Sequence, residues 1–389
     1  MHYVTAGESH GSSLTAIIDG VPAGLRLTAE SINTDLDRRS HSYSSAPAPA
    51  HPDRVEFIGG VRFGRTSGGP VAMRVENPDW RAWRTVMPVD GEEPADASRM
   101  TVPCPGRADL AGSLKFDLDD CRDVDERANA RETAVRVAAS GIAKEFLAAI
   151  GVGVMSYVRR IGDVAMADDA SMEAAAGYKP LDIETSPVRC PCRKTTRLMK
   201  KAVDAAREGG DTLGGEFRIV ATGLLPGIGG YSQGADRLSS KIAAALFSIP
   251  GVRSVEFGLG SAFGAMKGSE CCDAIEYSRR TGFYRSGNRN GGIEGGLTNG
   301  MPLVVTVAVH PPVPGESPVR SVDMETLEPA DLACARGDIC FAPSAAVVAE
   351  GEVAFVIADA YLKKFGCDSM TDIIASINAY RQRLRTASR

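Results

Sequence analysis

The sequence lacks any long hydrophobic segment. No run of about 18 apolar residues occurs in it, so no transmembrane helix is expected. Residues 1–7 contain no basic region followed by an apolar stretch, so a secretory signal peptide is not expected either. Both absences predict a cytoplasmic protein that makes no membrane contact.

Cysteines form no recognisable framework. The nine cysteines are an odd number, none belongs to a Cys-x-x-Cys pair, and none stands with histidines at the spacing of a zinc site. This pattern is typical of reduced cytosolic thiols rather than of a disulfide-stabilised protein. A metal site at Cys190 and Cys192 is an alternative, and we otherwise expect no metal.

Positive charge and aromatic side chains are also scarce. The chain has 44 basic and 49 acidic residues, a net charge of −5, so it lacks the overall basic surface of a nucleic-acid-binding protein. The basic residues between 189 and 201 are not interleaved with aromatic ones, which indicates a solvated surface. Aromatic residues make up 6% of the chain, so the core must be mainly aliphatic.

Hydrophobic periodicity predicts an α+β fold. The predicted helices cover about 28–39, 127–150, 195–208, 237–248, 344–364 and 371–384. The predicted strands cover about 14–19, 55–58, 71–75, 216–221, 252–258 and 303–309. Because helices and strands do not alternate regularly, we expect antiparallel sheets with helices packed between or against them.

Two pairs of segments are similar to each other. Thr66–Met73 resembles Thr298–Val305, and Gly20–Gly24 resembles Gly223–Gly227. This similarity predicts a single domain, 1–389, with two related halves. Chance similarity between turn-plus-strand segments is the alternative.

Three segments are candidates for ligand binding. Gly7–Gly11 places His10 between glycines, where it could donate a proton or bind phosphate, or simply bind the backbone of its own turn. Arg127 and Arg131 stand at the start of the longest predicted helix, a position that attracts anions; a solvated pair bound to neighbouring glutamates is the alternative. Gly291–Gly296 has four glycines in six residues, which favours contact with a flat or phosphorylated ligand over a compact turn.

Two further segments carry weaker signals. Gly258–Gly264 follows a predicted strand, but its GxGxxxG spacing differs from that of a Rossmann dinucleotide site, and that interpretation would need a parallel sheet. Arg336 and Asp338 lie two residues apart before the helix at 344–364 and could orient a ligand.

Taken in order, seven segments resemble the chorismate synthase family over nearly the whole chain. They are 5–11, 19–24, 75–80, 105–109, 126–133, 291–296 and 344–350. The resemblance implies helices sandwiched between antiparallel four-stranded sheets, and a homotetramer. It implies conversion of a phosphorylated small molecule, 5-enolpyruvylshikimate 3-phosphate, to chorismate by anti-1,4-elimination of phosphate, in the shikimate pathway of aromatic amino-acid biosynthesis. Reduced FMN is implied as the cofactor, with NADPH as an additional candidate for the reductant.

The resemblance also assigns roles to residues. His10 corresponds to the histidine that serves the leaving phosphate, Asp338 to the carboxylate that helps proton removal, and Arg39 to an arginine that binds substrate or reduced nicotinamide. The implied flavin contacts are Arg127, Ala128, Asn129, Pro250, Gly251, Gly295, His310, Pro314 and Arg336.

Several positions depart from the family pattern. Arg107 stands where the family has a second catalytic histidine, and arginine can stabilise an anionic flavin but cannot shuttle a proton. The arginine-rich loop of the family is replaced here by residues 40–50, which we call the neutral loop. Side chains also differ at Pro250–Gly251 and 310–314, where contacts with flavin would have to use the backbone. These departures leave an alternative open: a catalytically impaired paralogue, or one with an altered ligand, that retains the fold.

Overall fold

The computed structural model describes residues 1–45, 51–92, 94, 97–166, 172–279, 281–314, 318–332 and 337–386. The strands are β1 (His2–Ala6), β2 (Ser13–Asp19), β3 (Val55–Gly59), β4 (Val61–Arg62), β5 (Arg65–Thr66), β6 (Val71–Glu76), β7 (Gly153–Ile161), β8 (Val164–Ala165), β9 (Gly215–Thr222), β10 (Val252–Phe257), β11 (Ile275–Ser278), β12 (Gly282–Arg285), β13 (Ile293–Glu294), β14 (Leu297–Thr298), β15 (Leu303–Val309), β16 (Val319–Val322) and β17 (Pro329–Leu332). The helices are α1 (Ala29–Ser40), α2 (Trp80–Trp83), α3 (Asp109–Phe116), α4 (Arg122–Ala128), α5 (Thr133–Ala149), α6 (Met172–Gly177), α7 (Pro180–Glu184), α8 (Arg193–Glu208), α9 (Leu238–Phe247), α10 (Gly268–Cys271), α11 (Ala342–Phe365) and α12 (Met370–Thr386).

The first main sheet has the strand order β1-β2-β6-β3, and every pair in it is antiparallel. Along β2, Leu14, Ala16 and Ile18 are fully buried while Ile17 is exposed. This period of two is expected for a strand with one face on the core and one in solvent. Helix α5 packs against β2 and β6 on the buried face.

The second main sheet has the order β10-β15-β9-β7-β8 and is also antiparallel. Its central strands β9 and β15 are buried almost throughout, which explains their nearly continuous apolar sequences. The family resemblance implied four strands; the fifth, β8, is a two-residue strand that folds back on the end of β7.

Helices α1, α5 and α11 fill the space between the two sheets. Helix α11 is buried over most of its 24 residues and packs on α5, β7 and β9. Gly351 lets α11 approach α5 closely, because a Cβ added there would lie 2.8 Å from the Cβ of Ser140. The predicted α+β sandwich of helices between antiparallel sheets is therefore confirmed. The Rossmann alternative is excluded, since the strand that precedes Gly258–Gly264 pairs antiparallel with its neighbour.

The predicted helix 127–150 is wrong at its start. Helix α4 ends at Ala128, a short 3₁₀ turn covers Ala130–Glu132, and α5 begins at Thr133. The break lies at Asn129, whose backbone is extended (φ −66°, ψ 144°) and whose side chain accepts the Arg131 N–H at 3.0 Å. Arg127 therefore lies at the end of one helix rather than at the anion-attracting start of another.

The two main sheets share one topology. Apart from α8, which lies between β7 and β9, and a number of shorter elements, each half of the chain has two strands, a helix, two strands and a helix: β1, β2, α1, β3, β6, α5 and then β7, β9, α9, β10, β15, α11. Numbered along the chain, both sets of four strands have the spatial order first, second, fourth, third. A domain of two related halves stays a prediction, and this shared order supports it.

None of the described helices combines the length and hydrophobicity that a membrane-spanning helix requires. Within the described ranges, no group of three or more His, Cys, Asp or Glu side chains is placed to hold a metal ion.

Candidate active site

His10 lies in the turn that joins β1 to β2. Gly7 opens this turn with φ +106°, and a Cβ there would come within 2.3 Å of the Ser13 carbonyl oxygen, so the turn requires glycine. The His10 backbone N–H donates to Glu126 Oε2 at 2.7 Å, and its Nδ1 lies 2.7 Å from Glu126 Oε1. The buried carboxylate of Glu126 thus binds both the backbone and the ring of His10. The His10 side chain itself is 30% exposed.

The imidazole of His10 also stacks on the indole of Trp83. The ring centroids are 3.8 Å apart and the planes differ by 17°. Since Glu126 occupies Nδ1, the other ring nitrogen, Nε2, is the one left to meet a ligand.

The side chain of Arg127 supports the His10 turn by binding its backbone. Its guanidinium donates to the carbonyls of Gly7 (3.0 Å) and Thr5 (3.1 Å) and to Thr5 Oγ1 (2.7 Å). The predicted flavin contacts Ala128 and Asn129 follow directly at the end of α4. Flavin contact by Arg127, Ala128 and Asn129 stays a prediction. In the structure, the Arg127 side chain stabilises the His10 turn.

Arg107 lies next to the same helix. Its Nη1 donates to Asp125 Oδ1 at 2.7 Å, and Asp125 immediately precedes Glu126 on α4. Two adjacent carboxylates of α4 therefore hold His10 and Arg107. The positive charge of Arg107 is balanced by its own carboxylate partner.

A hydrogen-bonded chain connects the His10 turn to a second cluster. The Asn77 amide donates to the carbonyls of Glu8 (3.0 Å) and Gly11 (2.8 Å), and its Oδ1 accepts from Arg131 Nε at 2.9 Å. Arg131 Nη1 then donates to the buried carboxylate of Asp53 at 2.6 Å. The arrangement links the His10 turn, the 3₁₀ segment after α4 and Asp53, which lies two residues before β3.

Arg39 shares that carboxylate. Its Nη1 is 3.7 Å from Asp53 Oδ2, its Nε donates to Thr133 Oγ1 at 2.9 Å and its Nη2 donates to the Ala130 carbonyl at 3.0 Å. Burial lowers the pKa of Arg39 from 12.5 to about 10. The charge of Arg131 adds to this lowering of the pKa, whereas Asp53 acts against it. Two guanidinium groups around one carboxylate make a place where a further anion is favoured.

Asp338 belongs to the same neighbourhood, because its charge also raises the pKa of Arg39 against the effect of burial. It lies three residues before Phe341, which immediately precedes α11, and the ring of His310 lies edge-on to Phe341 with centroids 6.4 Å apart. The His310 N–H donates to the Gly251 carbonyl at 3.0 Å. The Pro250–Gly251 turn therefore lies with His310 and Phe341. Pro314 lies four residues beyond His310.

Gly295 lies near the other end of β10, and its contact with flavin stays a prediction. Gly251 directly precedes β10, whereas Gly295 lines a cavity of about 250 Å³ together with Phe257, the last residue of that strand. Six residues of strand separate the two ends by roughly 20 Å. Arg336 and residues 46–50 of the neutral loop lie outside the described residues.

The described part of the neutral loop is anchored to α8 and to the segment before α11. The Tyr43 hydroxyl donates to Asp204 of α8 at 2.7 Å, and Lys200 lies over the Tyr43 ring at 4.3 Å. Ser44 Oγ donates to the Cys340 carbonyl at 2.9 Å, which places the start of this loop beside the Asp338 segment. Basic residues of α8 thus contact the neutral loop, which lacks the arginines that the family has there.

Comparison with known proteins identifies the family. The sequence pattern of chorismate synthase matches residues 1–362. This chain belongs to the chorismate synthase family. It is 44% identical to the chorismate synthase of Desulforudis audaxviator, over 99% of this chain and 98% of that protein, and 45% identical to that of Rubrobacter xylanophilus, over 100% and 98%.

A solved structure supports the same conclusion. A crystal structure of chorismate synthase superposes with a TM-score of 0.80 at 34% identity and covers 99% of this chain and 98% of its own. As a member of this family the chain is a lyase of aromatic amino-acid biosynthesis. Nothing in these comparisons favours a paralogue with an altered ligand.

Sequence reasoning missed three residues that shape the site: Trp83, Asn77 and Asp53. Asn77 lies inside a segment that carries the chorismate synthase resemblance, so its position was a usable signal. Trp83 follows that segment by three residues. Asp53 lies three residues after the neutral loop, where composition gave no indication of a buried carboxylate.

Proposed function

We propose that this chain converts 5-enolpyruvylshikimate 3-phosphate to chorismate by anti-1,4-elimination of phosphate. The observation that carries the proposal is the imidazole of His10, held by Glu126 and Trp83 in a chain related to chorismate synthases over its full length. A departing phosphate gains negative charge, and a protonated imidazole can donate a hydrogen bond to it from Nε2. The Glu126 carboxylate at Nδ1 then balances the charge of the imidazolium.

The opposite end of the reaction requires loss of a weakly acidic proton from the ring. We assign help with its removal to the Asp338 carboxylate, which interacts electrostatically with Arg39. The guanidinium groups of Arg39 and Arg131 keep an anionic substrate oriented, since an arginine–phosphate hydrogen bond contributes about 1.5–3 kcal/mol. Arg107 supplies charge but no proton.

The residues around Arg39 and Gly251 fit reduced FMN. A buried guanidinium suits an anionic cofactor, and Gly251 has φ +87° with Phe341 and His310 carbon and nitrogen atoms 3.7–3.8 Å from where a Cβ would lie. We propose that this turn, His310 and Phe341 hold the flavin through backbone and ring contacts. Reduced FMN would supply electron density transiently and recover it, so that no net oxidation occurs.

We also propose that NADPH can serve as the reductant and that the protein works as a cytoplasmic homotetramer. All described cysteines are free thiols, as expected in a reducing compartment. Large apolar side chains are exposed on α3 (Leu114, Phe116) and on the β11–β12 hairpin (Ile275, Phe283), which suits subunit contacts. Sedimentation equilibrium would test the tetramer, and flavin reduction by NADPH would test the reductant.

An anaerobic assay tests the activity directly. The protein is incubated with substrate and dithionite-reduced FMN, and chorismate and phosphate are measured together. We expect both products in a one-to-one ratio, none with oxidised FMN, and a large loss of rate in His10→Ala. Absence of chorismate at high protein concentration would overturn the proposal and favour the impaired paralogue.

A further inference from the structure

The contact between Trp83 and His10 has no counterpart in the roles assigned so far. Trp83 is the last residue of the four-residue helix α2, and its indole lies nearly parallel to the imidazole at 3.8 Å. The guanidinium carbon of Arg122 also lies 5.9 Å from the centre of the indole. The Arg122 guanidinium is anchored through Nη2, which donates to the Ser98 carbonyl at 3.3 Å. The half-buried indole thus has both His10 and Arg122 as neighbours.

Glu126 by itself leaves the ring of His10 one freedom. Its two bonds fix the backbone and the position of Nδ1. A single hydrogen bond to the ring does not fix the ring plane, because the χ2 angle of histidine has a broad energy profile. Rotation of the plane would move Nε2, the atom that meets the leaving phosphate. The flat face of Trp83 removes this freedom, since a stacked ring can rotate only by leaving its neighbour.

We propose that Trp83 is a positioning residue for His10, which sets the plane of the imidazole and hence the direction of Nε2 toward the departing phosphate. The proposal deepens the proposed function and rests on it for the role of His10. Glu126 and Trp83 then divide the work: the carboxylate sets the tautomer and the indole sets the plane.

Kinetics of Trp83→Leu give the first test, with Trp80→Leu as the matched control. Trp80 begins the same short helix, and its ring makes no described stack with His10. We expect Trp83→Leu to lower kcat by about 2- to 12-fold with KM nearly unchanged. Trp83→Phe should restore most of the rate, and Trp80→Leu should keep it. A normal kcat in Trp83→Leu, an equal loss in Trp80→Leu, or a loss confined to KM would overturn the proposal.

The pH profile of kcat adds a readout that a merely structural role would not move. Glu126 binds His10 and Arg122 lies over the Trp83 ring, while Asp125 next to Glu126 pairs with Arg107 and Glu8 belongs to the His10 turn. None of them is altered in Trp83→Leu, so a change in the profile reports on His10. We expect the profile of Trp83→Leu to differ from the wild type and that of Trp80→Leu to coincide with it.

Fluorescence tests the contact without turnover, and it works even if Trp83→Leu fails to fold. The chain has two tryptophans, so Trp80→Phe leaves Trp83 as the sole tryptophan. We expect its emission to change when His10→Asn is added, because the imidazole that stacks on the indole is then gone. If the emission is the same with and without His10→Asn, the His10–Trp83 contact and the proposal are both wrong. A His10-dependent signal without chorismate formation would instead overturn the proposed function, and the catalytic importance of Trp83 with it.

Discussion

Glu350 and Glu352 lie two positions apart on α11, and the structure shifts the pKa values of their carboxyl groups in opposite directions. Burial would raise the pKa of Glu350, but the ion pairs with Lys144 (2.7 Å) and Arg38 (2.8 Å) outweigh burial and lower it well below 4.5. For Glu352 burial prevails and the pKa is raised, with Arg136 3.8 Å away. The side of α11 that carries Glu350 therefore holds a carboxylate between α1 and α5 that is ionised at neutral pH.

Replacing Glu350 by glutamine should destabilise the fold strongly. The change removes the more deeply buried of the two carboxylates, Glu350 and Asp35, that Lys144 and Arg38 share, which costs about 3–5 kcal/mol at pH 7. Because the pKa of Glu350 is lower in the folded than in the unfolded chain, its contribution is complete above about pH 4.5 and is lost as the pH falls further. Urea denaturation at pH 7 and pH 3.5 should show a difference between wild type and variant that narrows in acid.

Glu56→Gln is the control for this experiment. Glu56 is an exposed carboxylate that pairs with Arg74 across β3 and β6 of the first main sheet, so its loss should change the free energy of unfolding little. Equal losses for the two variants, or a Glu350→Gln effect that is independent of pH, would contradict the interpretation.

Glu126→Gln should impair catalysis more than stability. The carboxylate accepts from both the backbone N–H and Nδ1 of His10, and an amide offers only one oxygen, so one of the two bonds is lost. We expect kcat to fall on the order of 10²-fold. Asp125→Asn, one residue earlier on α4, is the matched control and should have a smaller effect. The interpretation fails if both variants lose the same activity.

Arg107→His should raise kcat, by about 10-fold or more. Asp125 is placed to hold an imidazole at position 107 as Glu126 holds His10, and an imidazole can transfer a proton whereas a guanidinium cannot. Arg107→Lys preserves the charge without restoring proton transfer, so it should leave kcat unchanged. Steady-state kinetics with reduced FMN would distinguish the two. A slower Arg107→His enzyme would show that the charge of Arg107 is what this site uses.

The elements that are set by local pattern were predictable from the sequence. The helices predicted at 195–208 and 237–248 lie within two residues of α8 and α9, because their apolar stripes and terminal signals are local. Strand β1 was missed, since its burial pattern alternates only between exposed and half-buried positions. Strand β7, with Arg159 and Arg160 near its end, also escaped prediction.

The long-range contacts of the site were not predictable from spacing. His10 and Glu126 are 116 residues apart, and the sequence suggested a neighbouring arginine as the partner of Glu126. The break at Asn129 likewise depends on bonds that Arg131 makes to Asn77 and Asp53, far away in the chain. Such pairings follow from the topology of the sheets, which local periodicity does not encode.

Thr66 fills a polar gap at the edge of the first half. Its hydroxyl is buried, donates to the Pro22 carbonyl at 2.6 Å and accepts the Leu25 N–H at 3.0 Å. The segment similarity in the sequence pairs this residue with Thr298.

Thr298 makes the same two bonds in the second half. Its hydroxyl donates to the Leu225 carbonyl at 2.6 Å and accepts the Ile228 N–H at 2.9 Å. Thr66 and Thr298 thus bind the two segments that are similar in sequence, 20–24 and 223–227, each extended by one residue. This equivalence supports a common origin of the two halves.

Equal roles predict equal costs for the two threonines. Thr66→Val and Thr298→Val each keep the side-chain shape but leave one buried carbonyl and one N–H unsatisfied, so each should lower the free energy of unfolding by about 1–3 kcal/mol. The losses should add in the double variant, because the two sites share no partner. Ser67→Ala, which removes an exposed hydroxyl beside Thr66, should cost little. The free energy of unfolding is measured by urea denaturation. If only one of the two single variants is destabilised, the two turns contribute unequally to stability although their hydrogen bonds are alike.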